Sequence, residues 1–153
     1  SSLYYCVGRK FSGKKLDYLK LKESLAGQDI LYRAIGYGVQ SASESSKFIE
    51  RLQKIGFEPK YKQVRIIQGE EGEKPRYIKT NWNVGLTLDI VQMLDKLDTI
   101  YLCSSDPELV PLVEYITTHG RKCVVASVGI PKSLRDVASS CIEFDQNLLE
   151  QAV

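Results

Sequence analysis

The amino-acid sequence predicts an α/β protein, a three-layer sandwich built on a mainly parallel central sheet. Short runs rich in apolar and β-branched residues alternate with segments of helical spacing along the whole chain, and this alternation is typical of parallel βαβ units. The chain has 153 residues, of which 43% are hydrophobic, so it is long and apolar enough to bury a core. No repeat or linker interrupts the pattern, and we therefore predict a single domain over residues 1–153.

The first half of the chain contains two predicted helices, one predicted strand and a basic extended segment. The strand is rich in Ile, Tyr and Val, and the second helix stops at Gly56. A polar loop, "QGEEGEKP", follows the extended segment. In order, these elements are a helix at 16–26, a strand at 29–39, a helix at 44–56, the extended segment at 57–67 and the loop before 76–79.

The second half continues the alternation. The helix at 82–95 has apolar residues on more than one face, so we expect it to be largely buried. The strand at 99–104, "TIYLCS", is almost wholly apolar, the pattern of a strand covered on both faces. The remaining predicted elements are a helix at 107–120, a strand at 122–128, a short helix at 132–139, a strand at 141–144 and a last helical turn.

Composition argues against several classes of protein. No apolar run reaches the roughly 18 residues that span a bilayer, and no secretory signal pattern opens the chain, so we expect a soluble, cytoplasmic protein. The four cysteines form no C-x-x-C pair and the only histidine is His119, which argues against a zinc site or a disulfide framework. We expect His119 to contact the last carbonyls of its helix. The chain also lacks the glycine-rich motifs of dinucleotide and NTP sites.

Charge is distributed unevenly although the net charge is only +2. Residues 1–79 carry 16 Lys and Arg against 9 Asp and Glu, whereas residues 80–153 carry 5 against 10. Two interpretations remain open. A basic surface that attracts polyanions can lie beside an acidic metal pocket, or the charges can be solvated side chains without a common role.

Two carboxylates follow the strand at 99–104 directly, in the turn "SSDPE". Ligands of open parallel sheets bind at the carboxyl ends of strands, so Asp106 and Glu108 can hold Mg²⁺ or Mn²⁺. A structural interpretation competes, because Asp106 is a good N-cap and Ser105 with Glu108 fits a capping box. The same choice exists in "NWN", where Asn83 can sit in the first turn of a helix and Trp82 can be a core residue, a supporting shelf or a stacking platform.

These motifs, taken in order, resemble the NYN domain family, the LabA-like branch of the PIN-like nucleases. The stretch "SSDPELVPL" is similar to the family's Ser-Gly-Asp-Gly-Asp-Phe-x-Pro-Leu, with Asp106 and Glu108 at its two acidic positions. The stretch "TNWNV", which leads to Asp89, is similar to Lys-Gly-x-Asp-Val with a further Asp six residues on. The segments "LYRAIGYGV", "LQKIGFEP" and "GRKCVVAS" extend the likeness from Leu3 to about Leu149.

The resemblance implies a PIN-like, Rossmann-like fold and acidic residues that bind Mg²⁺ or Mn²⁺ for RNA hydrolysis. Asn83 stands where the family has an aspartate, and Thr80 stands where it has a lysine, although Lys79 is adjacent. Alignment of "SSLYY" places the start of this chain just after the family's first-strand Asp-Gly. We therefore expect a domain that is N-terminally incomplete relative to the family and lacks its first strand, with weak or absent metal binding.

Three hypotheses follow. The first is a metal-dependent ribonuclease with Asp106 and Glu108 as metal ligands, Asn83 at the third catalytic position, and basic residues that hold RNA phosphates. The second is a catalytically impaired RNA-binding or regulatory domain. The third is an interaction module whose sheet is completed by a partner or a second copy of the chain. The RNA-binding candidates are Lys10, Lys14, Lys15, Lys62 and Lys79.

Overall fold

Helices and strands alternate along the chain, as the α/β pattern predicts. The computed structural model describes residues 2–40, 45–63, 65–67, 76–78 and 80–151. The helices are α1 (Ser2–Lys10), α2 (Tyr18–Ala26), α3 (Ser45–Lys54), α4 (Asn83–Met93), α5 (Val110–Thr118) and α6 (Lys132–Val137). The strands are β1 (Ile35–Gln40), β2 (Glu58–Gln63), β3 (Arg65–Ile67), β4 (Arg76–Ile78), β5 (Thr99–Leu102), β6 (Lys122–Ser127) and β7 (Ser140–Glu143). Short 3-10 helices cover Leu94–Lys96, Pro107–Leu109 and Gln146–Leu148.

The chain divides into two compact units. The first unit comprises Ser1–Tyr32 and Thr87–Val153, and the second comprises Arg33–Leu86. Both contain parallel strand pairs, which confirms the α/β class and the mainly parallel pairing. None of the described helices combines the length and the apolar character needed to cross a bilayer.

A parallel sheet in the order β5-β6-β7 organises the first unit. The middle strand β6 is buried from Cys123 through Ser127 because it has a neighbour on each side. Strand β5 alternates between half-buried and buried residues, so the expected cover on both faces is wrong for this strand. The half-buried residues, Thr99 and Tyr101, lie on one face of the strand, so that face is only partly covered.

Helix α1 packs on the same core, although the sequence pattern left residues 1–15 without an assigned element. Val7 is buried and Leu3 and Cys6 are partly buried, and this spacing puts the three on one face of a helix. An antiparallel bridge joins Leu16 to Leu149. Packing of Val7 therefore anchors the last turn of α1, which ends in Arg9 and Lys10, to this core. Its buried members are Val7, Leu16, Leu21, Ala126, Val128, Phe144 and Leu149.

The second unit contains the parallel pair β1-β2 and the antiparallel pair β3-β4. Strand β1 begins at Ile35, where pairing with Glu58 starts, so the predicted strand at 29–39 starts six residues too early. Residues 29–34 lie outside that ladder, and Ile30 is 98% exposed. The predicted loop "QGEEGEKP" lies outside the described residues.

Helix α4 begins at Asn83, so the interpretation of this residue as part of the first helical turn is confirmed. The expectation of a largely buried helix is wrong. Ile90 is buried, but the Val84 side chain is 73% exposed and the Leu88 side chain 54%. Apolar residues spread over more than one face cannot all meet the surface on which a helix packs.

The indole of Trp82 is held by three neighbours within the second unit. Its Nε1 donates a hydrogen bond to the Gly38 carbonyl at 2.7 Å, and its ring centroid lies 5.4 Å from that of Tyr37. The Lys62 ammonium lies 4.3 Å from a ring centroid of the indole and donates to the Asn81 carbonyl at 3.1 Å. Trp82 therefore serves as a shelf in this unit, and Lys62 covers one of its faces.

The Trp82 ring lies so close to residue 85 that only a glycine fits there without displacing the ring. A Cβ at Gly85 would lie 2.8 Å from Cε3 of Trp82, closer than carbon atoms approach without displacement. We predict that Gly85→Ala lowers the free energy of unfolding by about 1–3 kcal/mol, because the ring must move from its hydrogen bond. The measurement is urea unfolding of the purified protein.

Gly8→Ala is the matched control, because Gly8 also lies inside a helix and its added Cβ meets nothing within 4 Å. There the greater helix propensity of alanine should raise the free energy of unfolding by up to about 1 kcal/mol. If Gly85→Ala is as stabilising as Gly8→Ala, the proposed contact with the indole is absent.

Candidate functional site

The carboxyl ends of three parallel strands meet at one edge of the first unit. The segments that follow β5 and β6 begin with Cys103 and Val128, and the last residue of β7 is Glu143, which pairs with Ser127. This edge is where ligands of open parallel sheets bind. The predicted acidic residues and one of the predicted basic residues lie on segments that reach it.

Three serines fix the backbone after β5. The Ser105 hydroxyl donates to the Val128 carbonyl at 2.6 Å and lies 2.7 Å from the hydroxyl of Ser127. Because a carbonyl only accepts, the single proton of Ser105 goes to Val128, so Ser127 must donate to Ser105. Ser127 is 1% exposed. This buried chain of hydroxyls ties the end of β5 to the end of β6, and the hydroxyl of Ser104 accepts from the Asp106 N–H at 3.2 Å.

Asp106 is the N-cap of the following 3-10 helix, with Pro107 at the first position. Its Oδ1 accepts from the Glu108 N–H at 3.0 Å. The N-cap interpretation is therefore confirmed, whereas the capping box starting at Ser105 is wrong because Ser105 is engaged with β6. Asp106 is half-buried and Glu108 is exposed.

The described residues contain no preformed cluster of three side-chain ligands for Mg²⁺ or Mn²⁺. Mg²⁺ itself is usually held by one or two carboxylates together with water and substrate phosphates. Among residues 2–40, 45–63, 65–67, 76–78 and 80–151, no group of three or more acidic, histidine or cysteine side chains is placed to hold a metal ion. Asp106 and Glu108 follow the same strand but do not make such a group with a third side chain. Asn83 belongs to the second unit, at the start of α4.

A cavity of about 320 Å³ opens at the same edge of the first unit. The last turn of α1 contributes Arg9 and Lys10, and the segments after β5 and β6 contribute Ser105 and Gly129. Arg9 makes no ion pair within the described part of the chain. Among the described residues that line the cavity, Arg9 and Lys10 are the charged ones, and Cys6 and Val128 complete the wall.

Glu143 lies beside this cavity and is bound by groups from three elements. Its Oε1 accepts from the Gly129 N–H and from the Lys10 ammonium at 3.3 Å, and its Oε2 accepts from Arg135 at 2.7 Å. Burial by itself raises the pKa of Glu143, but the Gly129 N–H, the Lys10 ammonium and the Ile130 N–H together lower it below the ordinary carboxyl value. At neutral pH the Glu143 carboxylate is therefore ionised, and the cationic side chains of Lys10 and Arg135 donate to it.

Gly129 makes this contact possible through its backbone. Its φ of +63° lies in the left-handed region, which other residues adopt at a cost of roughly 1–2 kcal/mol. The bend after β6 turns the Gly129 N–H towards the last residue of β7. Gly129, Arg135 and Glu143 were missed by sequence reasoning. Two sequence signals could have identified this site. One is a glycine shortly after a buried strand, Gly129, and the other is an acidic residue at the end of the next strand, Glu143.

Two of the four cysteines, Cys103 and Cys123, are unsuited to nucleophilic chemistry. Burial raises the pKa of the Cys103 thiol to about 12. Burial, with the neighbouring Cys141 as a smaller cause, raises the pKa of Cys123 to about 12 as well. Because the thiolate is the nucleophile, both groups are inert near neutral pH. His119 ends α5 with Nδ1 2.7 Å from the Tyr115 carbonyl, the contact with a last carbonyl that its position predicts.

The predicted RNA-binding lysines fall in both units. Lys10 lines the cavity, and Lys14 and Lys15 are exposed in the turn that follows α1. Lys62 lies on β2 of the second unit against the Trp82 indole. Lys79 lies outside the described residues.

The fold is that of a PIN-like α/β protein, and comparison with known proteins gives the family. The family model named NYN domain matches residues 1–148. The chain therefore belongs to the NYN domain family, within the PIN-like nuclease superfamily. Among solved structures, the chain is similar to the crystal structure of VPA0982, a protein of unknown function from Vibrio parahaemolyticus. The two share 25% identity and a TM-score of 0.82 over 97% of this chain and 90% of that one. No curated protein matches.

The acid dependence of stability tests the Glu143 contacts. A carboxyl with a lowered pKa in the folded state stabilises the fold above its unfolded pKa, and that contribution disappears as the pH falls. We predict that Glu143→Gln lowers the free energy of unfolding by about 1 kcal/mol near neutral pH, and that the difference from the unmodified protein shrinks at pH ~4. Urea unfolding at the two pH values measures it.

Glu114→Gln is the control, because it removes one carboxylate from an exposed position on α5. It should change the free energy of unfolding little at either pH. A Glu143→Gln difference that stays the same at both pH values would show that the ionised carboxylate makes no contribution.

Proposed function

We propose that this NYN domain binds RNA through its phosphate groups and that the chain works as a single domain over residues 1–153. The observation that carries the proposal is the basic cavity at the carboxyl edge of the β5-β6-β7 sheet, lined by Arg9 and Lys10 and bordered by Ser105 of the family motif. Phosphate oxygens are recognised by such cations, and neutralising phosphates releases counterions. The family match runs continuously from residue 1 to residue 148, which supports a single functional domain.

Further basic residues extend this surface along the chain. Lys14 and Lys15 are exposed in the turn after α1, between Gly13 at φ +84° and the buried Leu16. Their ammonium groups can follow a sugar–phosphate backbone while the buried core beneath them stays packed. This arrangement favours sequence-independent contact with RNA, because phosphate contacts carry no base information.

Hydrolysis of RNA is the second candidate function. It is favoured by Asp106 and Glu108, which follow β5 where the family motif carries its acidic residues. The family uses Mg²⁺ or Mn²⁺ for this reaction, and Asn83 stands where the family has one of its aspartates. We therefore propose hydrolysis as an activity that this chain retains in weakened form at most. Asp106 is the residue on which it depends.

RNA binding and its salt dependence test the first candidate. We predict that the double variant Lys14→Gln/Lys15→Gln binds single-stranded RNA several-fold more weakly. The slope of log affinity against log salt should fall by roughly 0.7 for each phosphate that the variant no longer neutralises. Fluorescence anisotropy with a labelled oligonucleotide at several salt concentrations measures both quantities. Binding that is absent, or independent of salt, would reject the proposal.

The control is Lys96→Gln/Lys122→Gln, which removes the same charge from exposed positions before β5 and at the start of β6. It should leave the slope nearly unchanged, because those positions are distant from the carboxyl edge along the parallel strands. Equal losses of affinity in both double variants would mean that net charge, and not this surface, attracts RNA.

Cleavage of labelled single-stranded RNA in the presence of Mn²⁺ tests the second candidate. We predict that Asn83→Asp, which restores the charge of the family motif, increases cleavage over the unmodified protein. Adding Asp106→Asn should abolish it, and asparagine keeps the capping oxygen, so the helix start is preserved. If Asn83→Asp shows no cleavage, or if Asp106→Asn leaves cleavage unchanged, hydrolysis at this motif is rejected.

A further inference from the structure

The groups around the Glu143 carboxylate are hydrogen-bond donors and cations, which together suit an anion. Oxygens of its carboxylate meet the Gly129 N–H, the Lys10 ammonium and the Arg135 guanidinium. A backbone N–H at a left-handed glycine can point into a concavity of the kind that binds phosphate. Two cations complete it. The same donor set would satisfy the oxygens of a phosphate group.

The contacts of Glu143 are exchangeable. Its side chain is 35% exposed, and those of Lys10 and Arg135 are each 46% exposed. Ion pairs at this level of exposure contribute at most about 1 kcal/mol each to stability, because water screens them. A phosphate group carries up to two negative charges and several acceptor oxygens, so it competes well with one carboxylate for charge-assisted hydrogen bonds.

Space for a ligand adjoins these donors. The cavity of about 320 Å³ shares Lys10 and Gly129 with the Glu143 contacts and adds Arg9. Its volume lies at the lower end of the range for small-molecule sites. Arg135 adds a third cation close to the cavity through its hydrogen bond to Glu143, which increases the local attraction for an anion.

We propose that Lys10, Arg135 and the Gly129 N–H form a phosphate-binding site, and that the Glu143 carboxylate is its internal occupant, displaced when phosphate binds. The site takes a phosphate group, either one of a polynucleotide backbone or a terminal monoester. Its role in holding RNA beside the Asp106 motif rests on the proposed function, whereas binding of phosphate itself does not.

Inorganic phosphate is the first probe. In Glu143→Gln, the Gly129 and Ile130 amide resonances of ¹⁵N-labelled protein should respond at a roughly fivefold lower phosphate concentration than in the unmodified protein, because the internal competitor carries no charge. Glu114→Gln should titrate like the unmodified protein. Adding Lys10→Gln to Glu143→Gln should remove the gain. Equal titrations of Glu143→Gln and Glu114→Gln would overturn the site.

RNA oligonucleotides with and without a 5′-phosphate identify the source of the group. A backbone phosphate predicts tighter binding of both oligonucleotides by Glu143→Gln, and a terminal phosphate predicts a gain only for the phosphorylated one. Phosphate binding without RNA binding would reject the proposed function and keep the site. RNA binding without any response to inorganic phosphate, and without a gain in Glu143→Gln, would reject the site and keep the function.

A second variant keeps the proposal testable if Glu143→Gln does not fold. Arg9→Gln alters an exposed side chain without an ion pair among the described residues, so the fold should be retained. It should weaken phosphate binding by a few-fold, whereas Lys122→Gln at the opposite end of β6 should not. An unchanged phosphate titration of folded Arg9→Gln would contradict the place of the ligand in this cavity.

Discussion

Parallel pairing of β6 with β5 on one side and β7 on the other is the constraint from which the candidate site follows. It brings three carboxyl ends to one edge, so segments far apart in sequence meet there. Ser105, Gly129 and Glu143 are then held by hydrogen bonds that local sequence does not encode. The Ser127–Ser105–Val128 chain locks this arrangement, because a buried hydroxyl without its partner is costly.

Elements with a strong local signal were predictable from the sequence. The apolar run 122–128 corresponds to β6, and Gly56, at φ +87°, follows the end of α3 as a stop signal should. Asp106 was recognised as a cap because capping depends on neighbours within three residues. The start of β1 was misplaced, because a strand begins where its partner begins. Local composition at 29–34 does not contain that information.

The candidate site was predictable only in part, for a related reason. Asp106 and Lys10 stood out through motif and charge, whereas Glu143 looked like an ordinary polar residue at a strand end. Its importance comes from contacts with Gly129, Arg135 and Lys10, which lie 14, 8 and 133 residues away. Helix α4 gives the opposite case. Its many apolar residues predicted a buried helix, but within this helix only Ile90 is buried by tertiary packing.

The electrostatics of this edge also bear on the missing carboxylate of the family motif. Carboxylates that bind a cation offset its dehydration, and among the described residues no three acidic, histidine or cysteine side chains form a cluster that could do so. A site that holds phosphate directly needs the opposite charge, which Arg9, Lys10 and Arg135 supply. Asn83, in place of an aspartate, lowers the negative charge of the domain by one. An asparagine at this position is therefore compatible with the proposed binding of RNA by basic side chains.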